Sequence, residues 1–107
     1  LLSALLLVSF TQQVIKTKLK VQVVTKKGEL VEGATLRVFD NVQDYNSEKN
    51  AIAEVITDEN GFCKVSDLED RAYYVIAEKG ELSNLFNSDR TKVLDKGKTN
   101  KIIIIIE

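Results

Sequence analysis

Apolar and polar residues alternate along most of this chain. "KLKVQVV" sets Leu19, Val21 and Val23 on one side and Lys18, Lys20 and Gln22 on the other. A period of two marks a strand with one face in a core and one in water. "GATLRVF" repeats the pattern with Ala34, Leu36 and Val38. "AIAEVIT" predicts a third strand, "FCKV" a fourth, and "AYYVIAEKG" a fifth with Tyr73, Val75 and Ala77 on one side. "ELSNLF" predicts a weaker sixth, Val93 and Leu94 mark a short candidate, and "KIIIIIE" closes the chain. Turn formers separate them: Gly28 in "TKKGE", Asn60-Gly61 in "DENG", and the polar "SDLEDR". "DNVQDYNSEKN", from Asp40 to Asn50, has no apolar period and predicts a loop.

Two runs carry more specific expectations. Lys16, Lys18, Lys20, Lys26 and Lys27 form a basic stretch. Lysines spaced by two predict the wet face of an edge strand, where charge discourages unwanted pairing. Ile102 to Ile106 is β-branched on both faces, which predicts a strand inside a sheet with neighbours on both sides. On an open edge such a run is an aggregation hazard; the functional alternative is a strand that inserts into a partner. Strands at this spacing, without an amphipathic helix, predict an all-β sandwich or small barrel. The expected form is an antiparallel sandwich of about seven strands, a single domain over residues 12–107.

Composition narrows the chemistry. Fifteen Lys and Arg against sixteen Asp and Glu give a net charge of −1, so no overall basic field recruits nucleic acid or an anionic membrane. The absence of His removes the commonest general base and the commonest metal ligand together. Cys63 is the single cysteine, so it has neither a disulfide partner in the chain nor a histidine to activate it. Sharing a side with Val65, it is expected in the core with a raised pKa.

"LLSALLLVSF" is uncharged, as long as the apolar stretch of a signal peptide, and too short to span a bilayer. Polar "TQQ" follows, so residues 1–11 are expected to be a truncated signal peptide and the domain to be exported. No cysteine follows for a lipid anchor, and no membrane insertion is expected once the signal is removed. The alternative is a core strand or helix packed on the domain.

"TDENGFCKVSDLED" gathers five carboxylates around Cys63. Asp58, Asn60 and Asp67 are its calcium candidates. In the helix-flanked calcium-loop register, however, Ile56 falls on the first ligand position and Asp67 on the twelfth, and the flanks are strands. A turn explains the segment more simply: Asn-Gly adopts positive φ, and Asp58 can bond its own backbone two residues on. Tyr45, in the polar loop, and Tyr74, opposite in side to Tyr73, are candidate contacts for a protein or glycan partner. Tyr45 could instead pack back and pin its loop.

"VQVVTKKGELVEGATLRVFD" resembles the opening of carboxypeptidase-regulatory-like and transthyretin-like (prealbumin-like) β-sandwich domains. These run strand, G-x-P-V-x-G-A turn, strand; here the turn is Gly28 to Ala34, with Leu30 in place of proline. "TDENGFCKVSDL" resembles their T-D-x-x-G signature, and "LEDRAYYVIAEKG" their L-x-P-G-x-Y-x-V strand, with Asp70 and Arg71 at the Pro-Gly positions. The resemblance spans about Lys18 to Gly80. It implies a sandwich and leaves function open among accessory, stalk, adhesion and binding modules. Related hydrolases that act on 5-hydroxyisourate rely on histidines, so that activity is not expected. Related Cna B-type adhesin domains form a Lys–Asn isopeptide bond. Here Leu19, Val21 and Val23 face inward, the last strand offers isoleucines, and Asn100 precedes it, so no such bond is expected. Regulatory domains of metallocarboxypeptidases accompany a catalytic domain that this chain has no room for.

The expectation is a non-catalytic exported accessory or binding module without a cofactor, meeting a protein or glycan at the cell envelope, in the periplasm or on the surface. The alternative is a structural spacer of a surface assembly. An enzyme using carboxylates is the third reading.

Overall fold

A computed structural model describes residues 15–107. The segment read as a signal peptide, residues 1–11, lies outside the described residues. The elements are β1 (Thr17–Thr25), β2 (Thr35–Phe39), α1 (Val42–Ser47), β3 (Ala53–Ile56), β4 (Phe62–Leu68), β5 (Tyr74–Lys79), β6 (Leu82–Ser83) and β7 (Thr99–Ile106). They form two sheets, of order β4-β1-β7 and β3-β2-β5-β6.

Alternation builds the core between the sheets. Leu19, Val21 and Val23 of β1 meet Leu36 and Val38 of β2 and Val75 and Ala77 of β5, all fully buried. Burying each of the larger side chains contributes about 1.5–3 kcal/mol. Cys63, Val65 and Leu68 of β4 and Ile104 and Ile106 of β7 complete this layer. The expected seven-stranded β-sandwich is therefore present, and Tyr73, 2% exposed, belongs to its core.

Four local expectations are corrected. β1 is the central strand of its sheet, not an edge, so its lysines guard no open edge. β7 is an edge instead, as is β4, and pairs on one side with β1. That pairing is parallel, from Lys18 opposite Thr99 to Thr25 opposite Ile106, while the other strand pairs are antiparallel. Ile102, Ile104 and Ile106 turn inward, leaving Ile103 65% and Ile105 41% exposed. The segment Asp40 to Asn50 is not all loop. Asn41 caps α1 by accepting from the Asp44 N–H at 2.8 Å, and Glu48 ends it in the left-handed region at φ 54°. Val93 and Leu94 form no strand; Leu94 is buried and Val93 exposed.

β4 also runs farther than expected, through Ser66 to Leu68. Thr17 lies opposite Leu68 but Leu19 opposite Val65, so β4 carries one extra residue. Asp67 takes up that bulge at φ 59°, which returns Leu68 to the core.

Candidate functional site

The two signature turns meet at Thr57. Its hydroxyl donates to the Val31 carbonyl at 2.6 Å and accepts from the Ala34 N–H at 2.8 Å. Its backbone N–H reaches the Ala34 carbonyl at 2.9 Å, and its carbonyl accepts from the Gly33 N–H at 3.1 Å. One buried threonine thus satisfies the backbone where the first turn enters β2. The next residue fixes the second turn: Asp58 Oδ1 accepts from the N–H groups of Asn60 and Phe62 at 2.8 and 2.9 Å. Gly61, at φ +78°, sits where a Cβ would lie 2.8 Å from the Val23 carbonyl oxygen, so turn and close approach both require glycine.

The calcium candidates are not brought together. Asp58 and Asn60 stand before β4, whereas Asp67 is near its far end, about 16 Å of strand from Phe62 at the usual rise. Asp67 pairs with Lys16 at 3.2 Å, and the Asn60 carbonyl accepts from Gln22 Nε2 at 3.2 Å. Among the described residues no three His, Cys, Asp or Glu side chains are grouped to hold a metal. Cys63 lies buried in β4, and burial, aided by the Asp58 charge, pushes its thiol up to about 11.

Tyr45 and Tyr74 do come together. Tyr45 projects from α1, with its ring 5.5 Å from that of Tyr74 and edge-on to Phe39 at 6.0 Å. The Arg90 guanidinium covers Tyr74 at 5.6 Å. Both tyrosines are half-buried, and their contacts fasten α1 to the sheet. Arg37 reinforces that attachment, bonding Glu48 at 2.9 Å and Glu78 at 2.6 Å. Tyr73 acts elsewhere. Its hydroxyl accepts from the Glu69 N–H at 2.8 Å, steadying the turn that lacks Pro-Gly.

Asn100 does not precede the last strand; it is the second residue of β7 and buried. Its Oδ1 accepts from the Asp95 N–H at 2.8 Å, and its Nδ2 donates to the carbonyls of Lys18, Asp95 and Lys98 at 3.1–3.3 Å. Leu19 faces it on β1, and the inward side of that strand carries no lysine. The amide ties strand to loop by hydrogen bonds. Asn84, fully buried, does similar work with Ala77, Val75 and Asp89. Neither role is legible in sequence: Asn84 lies inside the weak "ELSNLF" strand candidate, and Asn100 reads as a residue just before the last strand.

No protein-family model matches this chain, and no curated protein matches it in sequence. Its fold does have counterparts. The sandwich is similar to domains of two bacterial pilins. A Streptococcal ancillary pilin superposes with a TM-score of 0.66 at 15% identity, over 89% of this chain and 33% of that one. BcpA, the major pilin subunit of Bacillus cereus, superposes at 0.57 with 18% identity, over 86% of this chain and 30% of its own. The chain spans about a third of the length of either pilin, and at these identities the likeness is one of fold. Among the described residues, no helix is long and apolar enough to cross a membrane.

Proposed function

We propose that this domain is a load-bearing structural module of an exported surface assembly. The observation that carries the reading is the parallel β1–β7 pair. Tension along the chain enters at Thr17 and leaves at Ile106, and these ends lie at opposite ends of a register eight positions long. Pulling on them slides the two strands past each other, so their hydrogen bonds share the load instead of opening one by one. The pilin-like sandwich supports the same reading, and the apolar run at residues 1–11 supports export. Within the transthyretin-like class, the turn at Gly28 to Ala34 and the Thr57-Asp58 signature favour the carboxypeptidase-regulatory type. Tyr45 and Tyr74 then serve the fold by holding α1, and the domain catalyses nothing.

Single-molecule pulling tests this directly. With handles before Ile15 and after Glu107, β1 and β7 are sheared. With handles at Lys27→Cys, on an exposed turn, and after Glu107, the same strands are unzipped. The expected unfolding force is several-fold higher in shear. Equal forces in the two geometries overturn the load-bearing reading.

A further inference from the structure

The outward face of the β4-β1-β7 sheet is basic at the end that holds Lys18, Lys20, Lys64 and Lys101, and apolar at the other, where Val24, Ile103 and Ile105 lie, although the chain as a whole has a net charge of −1. Register places Lys64, Lys20 and Lys101 side by side across all three strands. Lys18 follows on β1, beside Thr99. Outward positions of these strands carry no Asp or Glu apart from bulged Asp67, which Lys16 occupies at 3.2 Å. Lys18, Lys20, Lys64 and Lys101 have no ion-pair partner among the described residues. Lys20 turns its ammonium over the Phe62 ring at 4.2 Å.

Like charges directly opposite one another weaken a sheet. Guarding an edge does not account for Lys18 and Lys20, since β1 is central. The face continues into a depression of about 320 Å³ lined by Ile15, Lys16, Lys18, Gly97, Lys98 and Thr99, with no carboxylate. A second, beside Phe62, is lined by Lys20, Lys64 and Asp58, but that carboxylate is engaged by its own turn.

From this arrangement we infer that the face binds a linear phosphodiester-linked polyol chain. Charge complementarity requires a polyanion. The cations are all lysines, point charges that accept tetrahedral phosphates from any direction; planar carboxylates favour the arginine fork. Spacings of about 5 Å across strands and about 7 Å along them suit a flexible chain with regularly repeated charges. Nucleic acid fits less well, because the one aromatic on these outward positions is covered by Lys20, leaving no platform for bases. The inference stands apart from the load-bearing reading.

The test is titration of the full chain with a synthetic glycerol-phosphate oligomer at low salt. Binding is expected, weakening steeply as salt rises. Lys64→Glu with Lys101→Glu, both exposed, is expected to cut affinity at least tenfold while leaving Tm within a few degrees. Lys26→Glu with Lys49→Glu makes the same change in net charge elsewhere and is expected to stay within twofold. Equal loss in the two double variants overturns the inference, as does no binding. So does equal or tighter binding of polyglutamate or oligothymidylate.

Discussion

Replacing Thr57 by Val removes one oxygen from the interior while keeping the side chain's shape. That oxygen bonds two backbone groups, donating to Val31 at 2.6 Å and accepting from Ala34 at 2.8 Å. Thr57 is 4% exposed, so water does not easily replace either bond. Each stranded buried group costs about 1–3 kcal/mol, and with some relaxation the pair costs about 2–4 kcal/mol. Domains of this size lose about 4–8 °C per kcal/mol, so Tm is expected to fall by about 10–30 °C. Urea unfolding is the assay: the midpoint should drop with an unchanged slope, showing that stability and not the unfolded ensemble has moved. Thr57→Ser keeps both bonds and loses one buried methyl, an expected cost of about 1 kcal/mol. The reasoning is refuted if Val lies within about 0.5 kcal/mol of wild type, or if Ser is the more damaging of the two.

Gly61→Ala is expected to cost about 2 kcal/mol or more, since it adds a backbone contact at 2.8 Å to a left-handed φ, whereas Gly28→Ala meets open space and should cost less; paired thermal melts check this. Cys63 has a folded pKa of about 11 against an ordinary 9.0, so its contribution is present below pH 9 and fades as pH rises towards 11. The stability difference between wild type and Cys63→Ala should therefore shift against wild type across that window, and thiol-reagent labelling at pH 8 should be slow until denaturant is added. Ile103→Lys alters a side chain that is 65% exposed on an open edge. It should leave stability within about 0.5 kcal/mol and slow aggregation on heating, read by light scattering.

Alternation was enough to place the core. Leu19, Val21, Val23, Leu36, Val38, Val75 and Ala77 all face inward as their spacing predicts, because the period of two is a local property. Strand order is not local. Lysines spaced by two look the same on an edge strand and on a central strand with one wet face, so β1 could not be placed from its sequence. Five consecutive isoleucines hide their own alternation, and only packing separates buried Ile104 from exposed Ile103. α1 did leave a trace, an Asn41 cap with Asp44 three residues on, but no apolar stripe drew notice to so short a helix. The tyrosine pair and the lysine row are both juxtapositions across strands, set by register instead of by neighbours in sequence.

The segment between β6 and β7 shows why polar residues matter most where pattern is silent. A strand parallel to β1 cannot be reached by a hairpin; it needs a crossover, which is usually helical. Here the crossover from Asn84 to Lys98 has no helix and no continuous apolar face. It is strapped down point by point. Asn84 ties its start to β5. Thr91 donates its N–H to the Tyr73 carbonyl at 2.8 Å, while its hydroxyl accepts from the Tyr73 N–H at 2.9 Å. Leu94 plugs the core, its N–H bonded to the Arg71 carbonyl, and Asn100 closes the end against β1. At the far end of β7, Glu107 and Ser83 exchange backbone bonds at 3.0 and 3.2 Å, joining the two sheets. These attachments hold β7 in parallel register with β1, the geometry that puts the pair in shear. The load-bearing reading therefore rests on buried asparagines and a threonine as much as on the isoleucines they position.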